Sequence, residues 1–169
     1  GYLTPGFYGN YGDDEANAAI HGRVYDAYAV LNPAGLCPQY WAVPTKDQVE
    51  ALFEELGGLA TAGDSLKASA SDDPAWDGSN ASGFGASAGG FRSNPGGFPN
   101  TTNNAWEGLN SKGRWWTRTV TADSESAVYF AMESGSDAVV VDSTLKRYGH
   151  SVRCRLDASA PEVSTEAVA

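Results

Sequence analysis

Helical periodicity in this chain ends at Gly57-Gly58, and strand-like runs begin only after residue 113. Before the glycine pair, "VPTKDQVEALFEELGG" places Val49, Leu52, Phe53 and Leu56 on one apolar face, with Thr45 and Gln48 spaced as a capping box. Upstream, Ala16, Ile20, Val24, Ala27, Tyr28 and Leu31 fall at helical spacing; Asp13 or Asp14 can cap the start, and Asn32-Pro33 stops it. One helix is predicted there, with Gly22 inside it, and "LCPQYWAVP" between the two helices reads as a short extended piece. After residue 113, "RWWTRTVT", "AVYFAME", "AVVV" and "SVRCRL" read as strands, the last alternating Val152, Cys154 and Leu156 inward against Arg153 and Arg155. Two helices early and an antiparallel sheet late give an α+β class and exclude the regular alternation of a parallel α/β fold.

Between them, from about residue 61 to 113, Gly, Ser, Asn, Asp and Pro dominate, with Trp76, Phe84, Phe91, Phe98 and Trp106 spaced singly. No helix is expected in this stretch, and it carries too many rings for a solvated linker, so it reads as long ordered loops pinned to the core. With 169 residues the chain can bury one proper core. One domain is expected over residues 1–157, with an N-terminal arm at 1–12 and a tail, "ASAPEVSTEAVA", at 158–169. The net charge of −10 argues against nucleic acid as a partner, because a polyanion binder needs a basic stripe. Residues 1–75 carry eleven acids against three bases, while residues 76–157 carry eight of each. No apolar run is long enough for a transmembrane segment. The start at Gly1, without Met or an apolar leader, reads as a mature or excised form.

"YGNYGDDEANAAIHGRVYDAYAV", "GLCPQYWAVPTKDQVEALFEELGG", "LKAS", "ASGFGASAGGFRSNPGGF", "GRWWTRT" and "YGHSVRC" occur in the order and spacing of a known set of blocks. Over roughly residues 8–157 the chain resembles the Fibrobacter succinogenes major paralogous domain family, which is related to the formylglycine-generating-enzyme branch of the C-type lectin fold. The resemblance implies a C-type-lectin-like fold with two early helices, a twisted antiparallel sheet and long ordered loops. It also implies an extracellular module used for recognition or assembly, akin to the variable ligand-binding proteins of diversity-generating retroelements, whose loops and strands before the last strand form the binding surface. Residues 100–148 correspond here. Ala42 stands where His is usual, Val49 where Trp is usual, His150 where an aromatic is usual, and Thr117 and Arg118 where serines are common. These departures are expected to alter surface specificity more than fold.

Cys37 and Cys154 lack the neighbours of a nucleophile or a metal site. The fold brings its two ends together, which favours a disulfide between them over two buried free thiols. The oxidase of the related branch uses two closely spaced copper-binding cysteines, and this chain has no Cys between 37 and 154. No Ser or Cys is placed to form a triad with His21 or His150, so no enzyme activity and no catalytic residue is expected, and both histidines read as packed or surface residues. Asp72, Asp73, Asp77 and Asn80 in "SASDDPAWDGSN" form a candidate calcium loop that fits no EF-hand spacing, and a solvated acidic turn is the simpler reading. No other cofactor is implied. The glycines of "GFGASAGG" lack the Lys and Ser/Thr of a phosphate loop.

The binding candidates are Arg92, Trp106, Arg114, Trp116 and Arg118, residue types that dominate interface hot spots, while Trp115 and Trp41 are assigned to the core. Trp106, in a polar loop, is expected to be the most exposed. Asn80 and Asn100 match the N-glycosylation pattern. Two functions stand in front: a filament or surface-appendage subunit that contacts its own copies, and a monomeric adhesin or lectin-like domain that binds a glycan or protein. Tyr2, Phe7 and Tyr8 at one end and Val163 and Val168 at the other are the assembly candidates. An extracellular or cell-surface location is expected for both.

Overall fold

The computed structural model describes residues 6–93, 106–157 and 159. The chain enters through strand β1 (Tyr8–Gly9) and a 3-10 turn, Tyr11–Asp13, before helix α1 (Glu15–His21). Asp14 caps α1 by accepting the Ala16 N–H at 2.9 Å. The helix ends at Gly22, whose φ of 81° lies in the left-handed region that a Cβ disfavours. Strand β2 (Val24–Tyr25) follows and pairs antiparallel with β1. A second helix, α2 (Ala27–Val30), then starts at Asp26, which accepts the Ala29 N–H at 2.8 Å. The single predicted helix is therefore two helices separated by a strand. Its apparent apolar stripe spans the break: Ile20 is exposed, while Val24 and Ala27 are buried.

Strand β3 (Trp41–Ala42) leads into α3 (Lys46–Glu55), where both halves of the capping box form: Gln48 N–H to Thr45 Oγ1 at 3.3 Å and Thr45 N–H to Gln48 Oε1 at 2.9 Å. Val49 and Phe53 are buried on its inner face. The stretch expected to be free of helix contains one, α4 (Ala62–Leu66). Packing overrides propensity here: a Cβ on Gly63 would lie 2.6 Å from the Asp137 carbonyl oxygen, so only glycine lets this turn sit against that loop. Trp76 and Phe91 are buried and Phe84 is half-buried, as expected of anchoring rings, whereas Phe98 lies outside the described residues.

Five strands make the main sheet, in the order β5 (Trp106–Leu109), β4 (Gly89–Arg92), β6 (Lys112–Val120), β7 (Ser126–Glu133) and β8 (Val140–Leu145). The sheet is not wholly antiparallel, since β4 and β6 run parallel and meet at Gly90 and Gly113. Beyond that meeting point the segment Gly149–Ser151 enters between them. Arg92 and Gly149 exchange two backbone bonds of 2.8 and 2.9 Å, Ser151 N–H donates to the Arg114 carbonyl at 2.9 Å, and Trp116 N–H donates to the Ser151 carbonyl at 3.0 Å. The inserted segment thus satisfies backbone groups that the diverging strands leave open.

"SVRCRL" was expected as one alternating strand. Ser151 bridges to Trp115, and only β9 (Arg155–Leu156) is a strand, paired with β3 through Trp41 opposite Leu156. Leu156 points outward at 61% exposure, and Trp41, expected in the core, is 44% exposed. Beneath this short ribbon Cys37 and Cys154 are joined in a disulfide. A core of Val49, Phe53, Leu66, Trp76, Trp115, Phe130 and Met132 packs on one face of the sheet. A second core, built on Ala27, Val30, Val43, Trp116, Ala127 and Tyr129, packs on the other.

Candidate recognition surface

Side-chain alternation along β6 and β7 puts Lys112, Arg114 and Trp116 on the same face as Tyr129, Ala131 and Glu133. At the Trp116–Tyr129 end this face is covered by the second core, whose edge reaches Ala131, and beyond it the described residues leave Arg114 half-exposed. A cross-strand row there reads Arg114, Ala131, Val140, and Val140 is 54% exposed. Lys112, Arg114, Tyr129, Ala131, Glu133, Ser136, Ala138 and Val140 line a hollow of about 150 Å³.

Arg114 is the feature of this hollow. Its guanidinium carbon lies 3.6 Å from the centroid of the Phe91 ring and 5.1 Å from that of Tyr129. Stacking uses the flat face of the guanidinium and leaves its in-plane donors free for a ligand. Among the described residues, no side-chain donor of Arg114 is hydrogen-bonded, and no carboxylate lies within ion-pair distance. Lys112 and Glu133 pair with each other at the rim, at 3.5 Å.

Behind Arg114 sits His150, fully buried, its ring 4.2 Å from Trp116, 4.8 Å from Tyr129 and 6.1 Å from Phe91. Nδ1 donates to the Gly149 carbonyl at 2.8 Å, so Nε2 carries the lone pair and has no partner among the described residues. Burial, and then the Arg114 cation, push its pKa down to about 3. The Tyr129 hydroxyl is shifted upward, first by burial and further by Asp142, with Arg114 opposing.

The other binding candidates are scattered. Trp116 is fully buried, and its indole N–H donates to the Tyr25 carbonyl at 2.8 Å, so it offers no surface. Arg92 is buried beside Trp106, 5.6 Å from its ring, and presents no contact surface. Trp106 is half-buried, its ring 5.3 Å from that of Tyr11. Arg118 is exposed and pairs with Asp157 at 3.5 Å. Only Arg114 belongs to the hollow. Its partners Phe91, Tyr129 and His150 were not anticipated, although strict alternation in "KGRWWTRT" and "AVYFAME" would have aligned Arg114 with Tyr129. Three of the five departures from the family pattern, Val49, Thr117 and His150, lie in the core rather than on the surface.

In the acidic loop, Asp72 accepts the Ser69 N–H at 2.6 Å and meets Asn80 at 3.1 Å, while Asp77 turns away to the buried Lys67 at 2.8 Å, and Asp73 is exposed. Among the described residues no three His, Cys, Asp or Glu side chains are grouped to hold a metal. Both ends of the Asn80 amide are used, by Asp72 and by the Gly85 N–H. At the N-terminus, Phe7 is half-buried, and Tyr8 is exposed beneath the Arg23 guanidinium at 4.7 Å. Tyr2, Val163, Val168 and Asn100 lie outside the described residues. No described helix is long and apolar enough to cross a membrane.

A family model described as Fibrobacter succinogenes major domain matches residues 2–154. No curated protein and no solved structure matches the chain.

Proposed function

The chain belongs to the Fibrobacter succinogenes major domain family, and on that footing we propose that it is a non-enzymatic, extracellular recognition module of C-type-lectin-like fold. Its contact surface is the open half of the main sheet. The observation that carries this reading is Arg114, a cation stacked on Phe91 at the edge of a solvent-open hollow, with no acidic partner among the described residues of a strongly acidic protein. A cross-link between Cys37 and Cys154 is at home outside the cytosol. The experiment is an array of glycans and surface proteins probed with the oxidised protein and with Val140→Glu, which places an acid at the mouth of the hollow. Signals retained by the native protein and lost by the variant are expected. Identical patterns from the two would overturn the reading.

A second reading, assembly into an appendage from copies of the chain, rests on a different patch. Tyr40, Trp41 and Leu156 are exposed together on the β3–β9 ribbon, Trp41 directly opposite Leu156. Large rings and a leucine held on a disulfide-braced ribbon are what a permanent contact buries. Trp41→Ser combined with Leu156→Ser should abolish polymers visible by electron microscopy of the purified protein. Monodisperse monomers of the unaltered protein at high concentration would rule this reading out.

A further inference from the structure

We infer that the hollow at Arg114 binds the carboxylate of an acidic sugar, one uronic-acid residue at a time, an assignment that rests on the open half of the sheet being the contact surface. A planar guanidinium whose face is occupied by Phe91 presents its N–H groups edge-on, the geometry in which arginine grips a carboxylate through two parallel hydrogen bonds. The hollow holds about 150 Å³, and an engineered apolar cavity of about 150 Å³ takes up benzene, so a single six-membered ring is the right scale. Its lining is mixed in the way a sugar ring is mixed. Ala131, Ala138 and Val140 offer apolar contact for the C–H face, and Ser136, Lys112 and Glu133 offer hydroxyl, ammonium and carboxylate groups for ring hydroxyls.

The surrounding charges favour an anion at Arg114 alone. Lys112 and Glu133 neutralise each other at the rim. Glu107, on the strand next to Phe91, and Asp142, one row along from Val140, are the nearby acids on the flanking strands, and neither pairs with Arg114. They restrict the bound negative charge to one small group and disfavour an extended polyanion.

An acidic peptide is the competing occupant, and the edge of the sheet argues against it. A peptide on a sheet gains most of its affinity by adding as a strand, and β8 is the outer strand here. It carries the charged side chain of Asp142, whose carboxylate accepts the Ser143 N–H at 2.7 Å, and a charge on an outer strand opposes pairing, that of an acidic peptide above all.

The test is calorimetric titration of the oxidised protein with a glucuronate-containing tetrasaccharide, with the same oligosaccharide methyl-esterified at the acid, and with the peptide APEVSTEAVA as the acidic-peptide arm. Binding of the acid form is expected, and esterification or Arg114→Gln should weaken it by about tenfold or more, the scale of one lost charge-assisted pair. Should Arg114→Gln unfold, Val140→Glu, at an exposed position, supplies the same loss with an unchanged circular dichroism spectrum and melting temperature. Equal binding of acid and ester, undiminished binding by folded Val140→Glu, absence of acid-sugar binding, or an Arg114-dependent affinity for the peptide above that for the sugar would each overturn the assignment. Array binding that is sensitive to Val140→Glu, with no response to the uronate probe, would sink this inference and leave the recognition reading standing.

Discussion

Trp115 and Trp116 are neighbours in the chain and anchor opposite cores. Trp115 stacks on Phe130 with ring centres 5.3 Å apart, on the face covered by α3 and α4. Trp116 lies on the other face, edge-on to Tyr129 at 6.3 Å, with its N–H on the Tyr25 carbonyl. One strand therefore ties both layers to the sheet.

Replacing either tryptophan by alanine should cost about 3–5 kcal/mol, the range for emptying a large aromatic site in a packed core. Trp116→Phe should cost less, about 1–3 kcal/mol, because it deletes one hydrogen bond and leaves a smaller void, while the Tyr25 carbonyl keeps its bond from the His150 N–H. Urea denaturation measures all three. An alanine variant within 1 kcal/mol of the unaltered protein would show that its core is not packed as described.

His150 makes stability depend on pH. Its folded pKa near 3 lies below the ordinary value of 6.5, so between those values the unfolded chain binds a proton that the folded chain refuses. Stability is full above about pH 6.5 and falls as the pH drops through this window, by up to about 1.4 kcal/mol per unit. His21, also shifted downward by burial, acts in the same sense. His150→Phe should flatten the profile between pH 6.5 and 4. Denaturation midpoints that fall in parallel for the two proteins would contradict this.

Lys67 is a buried cation. Its ammonium donates to the Ser136 carbonyl at 2.9 Å and the Glu133 carbonyl at 3.4 Å and pairs with Asp77 at 2.8 Å. Lys67→Ala should cost about 3–5 kcal/mol by stranding these acceptors, and Lys67→Met less, because it retains the volume beside Trp76. The ordering of the two variants in thermal melts is the check, and a methionine variant as unstable as the alanine one would refute it.

The Cys37–Cys154 bond spans 117 residues. In the chain-entropy account, closing a loop of that size stabilises the fold by about 4–5 kcal/mol. Reduction should lower the melting temperature, and mass spectrometry of the denatured, unreduced protein should find no alkylatable thiol. Two labelled cysteines in that experiment would exclude the bond.

What the sequence disclosed was local. Thr45 and Gln48 announced α3 because a capping box is written within four residues. Gly22 lay in plain view, yet helical spacing continued through it, and only the left-handed backbone there and the second cap at Asp26 separate the two helices. Gly90 beside Gly113 has no local signature, since a parallel pair is specified by distant contacts. At the site, residue type singled out Arg114 and Trp116 together. They share one face of one strand, and the placement of α2 over one half of it covers the tryptophan and leaves the arginine open.

The inserted segment Gly149–Ser151 also orders events in time. Its backbone partners are Arg92, Tyr25, Arg114 and Trp116, drawn from three strands made earlier in synthesis. Until residue 151 has left the ribosome, the groups of β2, β4 and β6 that this segment pairs have only water as a partner, and its bonds to Tyr25 close one of the longest loops in the fold. The docking of this segment is therefore a late closure, the step that fastens β2, β4 and β6 to one another through a single short piece of backbone.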